Sequence, residues 1–256
     1  MSMLSGPQRW LLARARAYNA LPTALRLALV SPRASHDMTM DFETARFNMV
    51  EQQIRTWEVL DANVLDACAK VHRERFVPEG YRQLAFSDTA IDIGHGQAMM
   101  PPKSEARLLQ ALDVQRGDRV LEIGTGSGYL TALLATLAAH VTSIELHEDL
   151  SMRAKHNLRD ANISNVALHV GDAVDGWSTA EPYDVIVVTG SSPARRPLIE
   201  QQLSQNGRMY IVVGNAPVME ALLITRLAKD SWTVECLFET ELTPLIGAEA
   251  KPEFQF

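Results

Sequence analysis

The sequence is poor in cysteine and in aromatic residues, and it contains no apolar run long enough to cross a bilayer. Its two cysteines, Cys68 and Cys236, form no CxxC pair and have no histidines at zinc-ligand spacing. Neither a disulfide framework nor a structural metal site is indicated, and a reducing, cytoplasmic compartment is favoured. The four tryptophans form no sequential stacking platform of the kind that single-stranded nucleic acid requires. We therefore expect no bound metal and no transmembrane segment.

Acidic residues are absent from residues 1–36, although this stretch holds five arginines. The rest of the chain has 19 basic and 31 acidic residues, which gives it a net charge of −12. A body that acidic is a poor binder of phosphate backbones, so we expect no nucleic-acid partner. We interpret residues 1–37 as a basic leader that is disordered or dispensable. Its composition also fits a transit peptide or a segment lying on a membrane surface.

Two helices are predicted at the start of the folded body. Apolar residues recur at helical spacing from Phe42 to Trp57, and a second helix is predicted from about Ala62 to Val71 behind Asp61 as its N-cap. The following stretch is rich in glycine and proline and is typical of loops with at most short strands. We predict that residues 38–102 form a helical and loop segment bordering the active site.

Short apolar strands alternate with helical stretches after residue 102. Strands are predicted in RVLEIG, HVTSIEL, VALHVG, YDVIVVTG and RMYIVVG, a pattern typical of a parallel, doubly wound sheet with helices on both faces. Two further runs, EALLITRLA and VECLFETELTPL, are joined by the turn-prone KDSW and indicate a C-terminal antiparallel hairpin. Residues 103–256 are therefore predicted to form a Rossmann-like α/β domain with C-terminal strands.

Three glycines stand at alternate positions in VLEIGTGSGYL, residues 120–130, directly after the first of these strands. Ligands of such sheets bind beyond the carboxyl ends of the strands, so Gly124, Gly126 and Gly128 should border the binding crevice. The dinucleotide motif needs a further glycine three residues after its second one, and neither possible register supplies it. Glu122 also disfavours a pyrophosphate, because its carboxylate would repel an anion at the start of the helix.

A cationic ligand fits these residues better than a phosphate does. S-adenosyl-L-methionine carries a sulfonium and an ammonium group, has no phosphate, and offers ribose hydroxyls to a carboxylate acceptor. Glu145 ends the second strand and is placed to accept from those hydroxyls, while Asp172 follows the third strand and is placed to accept from the adenine amino group. The residues predicted to bind this donor are Glu122, Gly124, Thr125, Gly126, Ser127, Gly128, Glu145, Asp172 and Ala173.

From about Phe47 to Leu245 the chain resembles the protein-L-isoaspartate O-methyltransferase family. The stretch EIGTGSGY is typical of class I methyltransferases in general, whereas RERFVPEGY and FSDTAIDIGHGQ, with MVEQQI before them, are typical of this family. Weaker matches are PYDVIVVTG and LTPL. The resemblance implies a seven-stranded sheet, S-adenosyl-L-methionine as cofactor, and methyl transfer to the carboxylate of isoaspartyl residues in protein or peptide substrates during protein repair.

A carboxylate acceptor needs no general base, because a carboxylic acid with a pKa of about 4 is already ionised at neutral pH. No residue is therefore assigned to proton transfer. The candidates for lining the substrate site are Asp88, Gln97, Met100 and Arg195.

The sequence departs from the family directly after GHGQ. The family has Thr, an apolar residue and Ser there, and the two hydroxyl groups contact the substrate carboxylate, whereas this chain has Ala98, Met99 and Met100. Losing one hydrogen bond to a charged group costs about 1.5 to 3 kcal/mol, so we expect low repair activity unless another group compensates. Ser104, Arg195 and the neighbouring arginine are the candidates for that compensation, although a loop arginine pair is more often simply solvated.

Two alternatives remain beside an isoaspartyl methyltransferase. The first is a methyltransferase of the same fold with a different acceptor, such as a less polar small molecule, which the methionines of the acceptor loop favour. The second is a non-catalytic module that binds S-adenosyl-L-methionine and acts through a partner. Fold alone does not separate the three.

Overall fold

A computed structural model of the chain describes residues 41–177 and 182–248. The predicted leader, residues 1–37, lies outside the described residues, so its dispensability stays a prediction. Six α-helices are found in the described residues: α1 (Phe42–Asn48), α2 (Ala62–Lys70), α3 (Pro102–Leu112), α4 (Tyr129–Leu137), α5 (Glu148–Asp160) and α6 (Pro197–Glu200). Nine strands accompany them: β1 (Ile91–Gly94), β2 (Gln97–Met99), β3 (Arg119–Ile123), β4 (His140–Glu145), β5 (Val166–Val170), β6 (Tyr183–Ser192), β7 (Leu203–Asn215), β8 (Val218–Ala228) and β9 (Ser231–Thr240).

Both predicted N-terminal helices are present, and both begin at an aspartate cap. Asp41 accepts from the backbone N–H groups of the first turn of α1, which then continues as a π-helical and a 3₁₀ turn to Trp57. Asp61 accepts from the N–H groups of Asn63 and Val64, as expected of an N-cap. Their apolar faces join one core cluster with α3 and α4, so residues 41–102 pack directly on the α/β layer.

The main sheet has seven strands in the order β5-β4-β3-β6-β7-β8-β9. The five strands from β5 to β7 are parallel, whereas β8 and β9 add to the edge in antiparallel pairs, which confirms the predicted sheet and hairpin. The chain winds outwards from β3 to β5 and then returns to β6 on the other side of β3, so the strand order reverses beside β3. A crevice is expected there, at the carboxyl ends of the parallel strands.

The loop segment before the sheet contains one small hairpin. Strands β1 and β2 pair antiparallel around a tight turn of Gly94, His95 and Gly96, all three with positive φ. Glycines adopt this backbone without strain, whereas His95 is an uncommon residue for it. The hairpin holds Gln97 to Met99 in a fixed path toward the crevice.

Candidate active site

A cavity opens where β3, β4, β5 and β6 end. Its walls combine the glycine turn after β3, the loops after β4 and β5, the middle of β6, the β1–β2 hairpin, and the segment after β9. The lining residues are Ile93, Gln97, Ala98, Met99, Met100, Glu105, Ile123, Gly124, Thr125, Gly126, Ser127, Leu130, Ile144, Glu145, Leu146, His147, Leu150, Gly171, Asp172, Ala173, Val174, Thr189, Gly190, Leu245 and Ile246. One continuous space therefore contains most of the residues predicted for the donor and two of those predicted for the acceptor.

The glycine turn forms one wall and requires its glycines. Gly124, Gly126 and Gly128 have φ values of +98°, +55° and +84°, in the region that L side chains rarely adopt. A Cβ atom on Gly128 would also press on Ala154 of α5, at 3.1 Å from its Cβ atom. Gly128 ends the turn as the N-cap of α4 and does not line the cavity, so it supports helix packing while Gly124 and Gly126 border the open space.

Glu145 connects the glycine turn after β3 to the loop after β4. Its Oε2 accepts from the Gly126 N–H at 2.7 Å, and its Oε1 accepts from the His147 N–H at 3.0 Å. The residue is 5% exposed and lies at the last position of β4. A carboxylate offers about four acceptor positions, so two bonds to the backbone leave capacity for ligand hydroxyls.

Asp172 and Ala173 lie across the cavity, directly after β5. Asp172 is exposed, and its carboxylate accepts from the Val174 N–H at 2.9 Å. Ala173 is buried in the core cluster beneath. The two residues therefore border the cavity on the side where the sequence places the adenine.

His147 is a lining residue that the sequence did not single out. Its ring stacks on that of His95, with centroids 3.9 Å apart and planes 12° from parallel. His95 in turn bonds Asp149 through Nε2 at 2.9 Å, and this bond lowers the pKa of the Asp149 carboxyl group. The Nε2 of His147 is buried and has no hydrogen-bond partner among the described residues.

Glu122 lies beneath the glycine turn instead of in the cavity wall. Its side chain is fully buried, and its Oε2 accepts from the hydroxyl groups of Thr131 at 2.5 Å and Ser143 at 2.6 Å. Thr125 bonds Ser143 in turn at 2.6 Å, so the network reaches the turn from below. Burial raises the pKa of Glu122 to about 8. Glu122 therefore supports the turn from within the core, and a direct contact with ligand stays a prediction.

The acceptor side is formed by the strand β2 and the residues after it. Gln97, Ala98, Met99 and Met100 all line the cavity, and the two methionines are buried. Neither residue 98 nor residue 100 carries a hydroxyl group, so the wall is apolar from Ala98 to Met100 and lacks the two donors that the resemblance implies there.

A buried ion pair stands behind that apolar wall. Arg73 is fully buried, and its three guanidinium nitrogens donate to the Ala85 carbonyl oxygen at 2.8 Å, to the Met100 carbonyl oxygen at 2.6 Å, and to the carboxylate of Glu105. The guanidinium also lies 4.6 Å from the centroid of the Tyr129 ring, at the start of α4. One cation thus connects the acceptor loop, α3 and the helix that follows the glycine turn.

Two predicted acceptor residues lie elsewhere. The Asp88 carboxylate pairs with Lys103 at 2.6 Å and does not line the cavity. Arg195 forms a two-pronged pair with Glu200, Nε to Oε1 at 3.0 Å and Nη2 to Oε2 at 2.5 Å, and also lies outside the lining. This pair holds the Arg195 side chain against Glu200 of α6, away from the residues that line the cavity.

The charges of the cavity fit a cationic, phosphate-free ligand. Three carboxylates line it, those of Glu105, Glu145 and Asp172, and none of the described lining residues is Lys or Arg. A pyrophosphate would meet no compensating side-chain cation here, whereas a sulfonium and an ammonium group would meet carboxylates. The donor set therefore fits S-adenosyl-L-methionine.

Comparison with known proteins agrees with this geometry. The family model described as protein-L-isoaspartate(D-aspartate) O-methyltransferase matches residues 44–250. The chain is 40% identical over 219 residues to protein-L-isoaspartate O-methyltransferase 1 of Rhodopseudomonas palustris, covering 85% of this chain and 89% of that protein. It is also 40% identical over 204 residues to the protein-L-isoaspartate O-methyltransferase of Protochlamydia amoebophila, covering 78% and 96%.

The fold has counterparts among solved structures. A protein-L-isoaspartate O-methyltransferase β-aspartate methyltransferase from Plasmodium falciparum, crystallised with S-adenosyl-L-homocysteine, superposes with a TM-score of 0.67 at 20% identity and covers 80% of this chain and 97% of that one. This likeness supports the fold, while the family rests on the match over residues 44–250. The chain belongs to the protein-L-isoaspartate O-methyltransferase family.

Proposed function

We propose that this chain is an S-adenosyl-L-methionine-dependent methyltransferase that O-methylates the carboxylate of L-isoaspartyl residues in damaged proteins and peptides. The observation that carries the proposal is that one cavity holds both the glycine turn, Gly124 to Ser127, and the acceptor loop, Gln97 to Met100. A donor on the first wall and an acceptor on the second would meet without any change of fold. Family membership agrees with this reaction.

Each donor-side residue is assigned to one part of S-adenosyl-L-methionine. Glu145 accepts from the ribose hydroxyls with the oxygen capacity that its two backbone bonds leave, and Asp172 accepts from the adenine amino group. Gly124 and Gly126 permit the close backbone approach that the methionine portion needs. When bound, S-adenosyl-L-methionine supplies the electrophilic methyl group.

The protein's part in the reaction is to position the acceptor and exclude water. An isoaspartyl carboxylate is ionised at neutral pH, so no side chain has to remove a proton. Holding a carboxylate oxygen in line with the methyl group makes a bimolecular displacement nearly unimolecular, which is worth about 7 kcal/mol or more. Gln97 and the buried Met99 and Met100 border the space in which that alignment would occur.

A second candidate acceptor is a less polar molecule. The observation that favours it is the apolar acceptor wall, in which Ala98 and Met100 replace the two hydroxyl donors of the family. Methionine side chains are polarizable and adapt to irregular apolar ligands. Such an acceptor would use the same donor site.

We also infer a reducing, cytoplasmic location and a protein or peptide partner instead of nucleic acid. Both cysteines are free, and burial raises the pKa of the Cys68 thiol to about 12, which keeps it unreactive. The net charge of −12 outside the first 36 residues disfavours a phosphate backbone as partner. No helix in the described part of the chain is long and apolar enough to span a bilayer.

The test is a methyl-transfer assay with two peptides that differ only in an isoaspartyl or an ordinary aspartyl linkage. Calorimetry with S-adenosyl-L-homocysteine first establishes that the preparation binds the donor product. We expect turnover above a no-enzyme control on the isoaspartyl peptide alone. Donor binding without turnover on it would overturn the assigned acceptor and favour the second candidate.

A further inference from the structure

An anionic acceptor meets an electrostatic difficulty in this cavity. Three carboxylates already line it, and no Lys or Arg does so among the described residues. Two of them, Glu145 and Asp172, lie on the donor side, where a cationic ligand offsets them. Glu105 lies on the acceptor side, and an ionised Glu105 would repel the substrate carboxylate from the space beside Met100.

Glu105 lies beside the acceptor loop because both bind the same guanidinium, that of Arg73. Arg73 donates through Nη1 to the Glu105 carboxylate and through Nη2 to the Met100 carbonyl oxygen, so the carboxyl group and the acceptor loop lie on adjacent prongs of one guanidinium. Glu105 lines the cavity although it is only 3% exposed. The open space therefore reaches Glu105, while Arg73 remains one layer behind it.

The surroundings of Glu105 favour its neutral form more than water does. Burial raises its pKa to about 7, and Arg73 opposes that rise. The ionisable groups that act on this region from neighbouring elements are Arg73 before the loop, Cys68 on α2, Glu122 on β3 and Tyr129 on α4. Burial raises the pKa values of Cys68 and Tyr129, so both stay neutral, and Arg73 is the one permanent cation of the cluster.

We propose that Glu105 receives the acceptor as a protonated carboxyl group, donating its O–H to one oxygen of the isoaspartyl carboxylate in place of the absent hydroxyls at positions 98 and 100. The proposal rests on the proposed function, because it assumes a carboxylate acceptor. Arg73 behind Glu105 then offsets the charge of the substrate. The Arg73 guanidinium and the substrate carboxylate lie on opposite sides of the neutral Glu105 carboxyl group. Two carboxyl groups that share one proton are stable at short distance, whereas two carboxylates are not.

The proton of Glu105 stays where it is during methyl transfer. The free oxygen of the substrate carboxylate forms the new O–C bond as the S–C bond of the donor breaks, and the electron pair of that bond remains on sulfur. The other oxygen becomes the ester carbonyl and still accepts from Glu105. No further reactant is needed, and Glu105 is a catalytic residue in the sense that it touches the substrate.

The direct test measures proton uptake when an isoaspartyl peptide binds. Calorimetry in two buffers of different ionisation enthalpy, on protein saturated with S-adenosyl-L-homocysteine, gives the number of protons taken up without any turnover. We expect close to one proton at about pH 8, where Glu105 is mostly ionised before binding, and little uptake at about pH 6. Above pH 7 the wild-type Kd for the peptide should rise by about tenfold per pH unit.

Two substitutions assign the proton to Glu105. Glu105→Gln keeps an N–H donor toward the substrate and an oxygen toward Arg73, so it should bind the peptide at pH 8 with no proton uptake and with a Kd that changes less than about twofold from pH 6 to pH 9. Glu105→Leu lacks the donor and should bind weakly at every pH. Glu239→Gln makes the same change of side chain on the exposed face of β9, away from the cavity, and should keep the wild-type uptake.

The possible failures are distinguishable. A wild type that binds the isoaspartyl peptide at pH 8 without proton uptake overturns the role of Glu105 but leaves the proposed function intact, and this measurement needs no variant to fold. Binding that strengthens with rising pH, with loss of turnover in Glu105→Gln, would make Glu105 a base for a protic acceptor and overturn the proposal. A preparation that binds the donor product but no isoaspartyl peptide at any pH overturns the proposed function and the proposal with it.

Discussion

The Thr189 hydroxyl group donates to the carbonyl oxygen of Gly124 at 2.8 Å. The same hydroxyl oxygen lies 2.9 Å from the Ile123 carbonyl oxygen, so the two carbonyl groups share one proton and the Thr189 side chain packs where β3 becomes the glycine turn. A Cβ atom on Gly124 would occupy the position of this hydroxyl group. The path of the turn therefore depends on the absence of a side chain at Gly124, and on a residue of β6 that stands 65 positions later in the chain.

This relationship predicts that Gly124→Ala lowers the affinity for the methyl donor. The substitution places an L side chain at a φ of +98°, which costs about 1 to 2 kcal/mol, and it displaces Thr189 from the turn. We expect the Kd for S-adenosyl-L-homocysteine to rise at least about tenfold in calorimetry. Gly117→Ala is the matched control, because open space surrounds Gly117 and its backbone is unstrained. Equal affinity of the two variants would contradict the prediction.

Glu145 offers a second test of the donor site. Glu145→Ala removes the acceptor for the ribose hydroxyls and also frees the Gly126 N–H, which now bonds Oε2 at 2.7 Å. Loss of a charge-assisted hydrogen bond costs about 1.5 to 3 kcal/mol, so the Kd for S-adenosyl-L-homocysteine should rise by about one to two orders of magnitude. Glu239→Ala, on the exposed face of β9, should leave it unchanged. An unchanged Kd in Glu145→Ala would remove Glu145 from the donor site.

The positions of the donor-side candidates in the fold could be predicted from the sequence because the signals for them are local, while their contacts with a ligand stay a prediction. Strand patterning places Glu145 at the end of β4, and the glycine spacing places Gly124 and Gly126 at the turn after β3. The same reasoning predicted the cap of α2, since Asp61 bonds residues only two and three positions away. A sequence pattern can predict the geometry of residues that are close together in the chain, because the local backbone fixes their relative positions.

The acceptor side depends on contacts that no local pattern reveals. Glu105 and Arg73 are 32 residues apart, and no helical spacing or turn motif in the sequence links one to the other. Glu122 is similar, since its partner Ser143 lies 21 residues away on the neighbouring strand. A charge at the end of a strand can point to ligand or to core, and only the tertiary packing decides between them. The available signal was a charged residue at a position that the helix or strand pattern assigns to the core, because a buried charge is retained only when it is paired.

The buried carboxyl group of Glu122 predicts a pH-dependent stability. Burial raises its pKa in the folded state to about 8, whereas an unfolded glutamate titrates at about 4.3. Between these values the folded chain holds a proton that the unfolded chain lacks, so this contribution is complete below the lower value, declines as the pH rises, and is gone above the upper one. Each proton held in this way changes the free energy of unfolding by about 1.4 kcal/mol per pH unit.

Glu122→Gln should remove that contribution. Urea unfolding at about pH 5, 6, 7 and 8 should show a shallower loss of the free energy of unfolding in the variant than in wild type, because Gln cannot ionise. Glu148→Gln, in the exposed first turn of α5, serves as the control and should follow the wild-type curve. Parallel curves for Glu122→Gln and wild type would show that Glu122 does not hold the proton.

The acceptor wall gives the last prediction, because its flanking sequence matches the family while positions 98 and 100 do not. Ala98→Thr with Met100→Ser places two hydroxyl groups in the wall that Ala98 and Met100 now form. In a weakened isoaspartyl methyltransferase the double substitution should raise kcat/KM on an isoaspartyl peptide by about tenfold, if each hydroxyl recovers even a modest hydrogen bond to the carboxylate. Ala98→Val with Met100→Ala changes the shape of the wall in a similar way without a hydroxyl group, so it should give no such gain. If both double variants stay near the no-enzyme control while binding S-adenosyl-L-homocysteine normally, the methionines serve another acceptor, and a screen of less polar acceptors should then find one whose methylation the hydroxyl-bearing variant has lost.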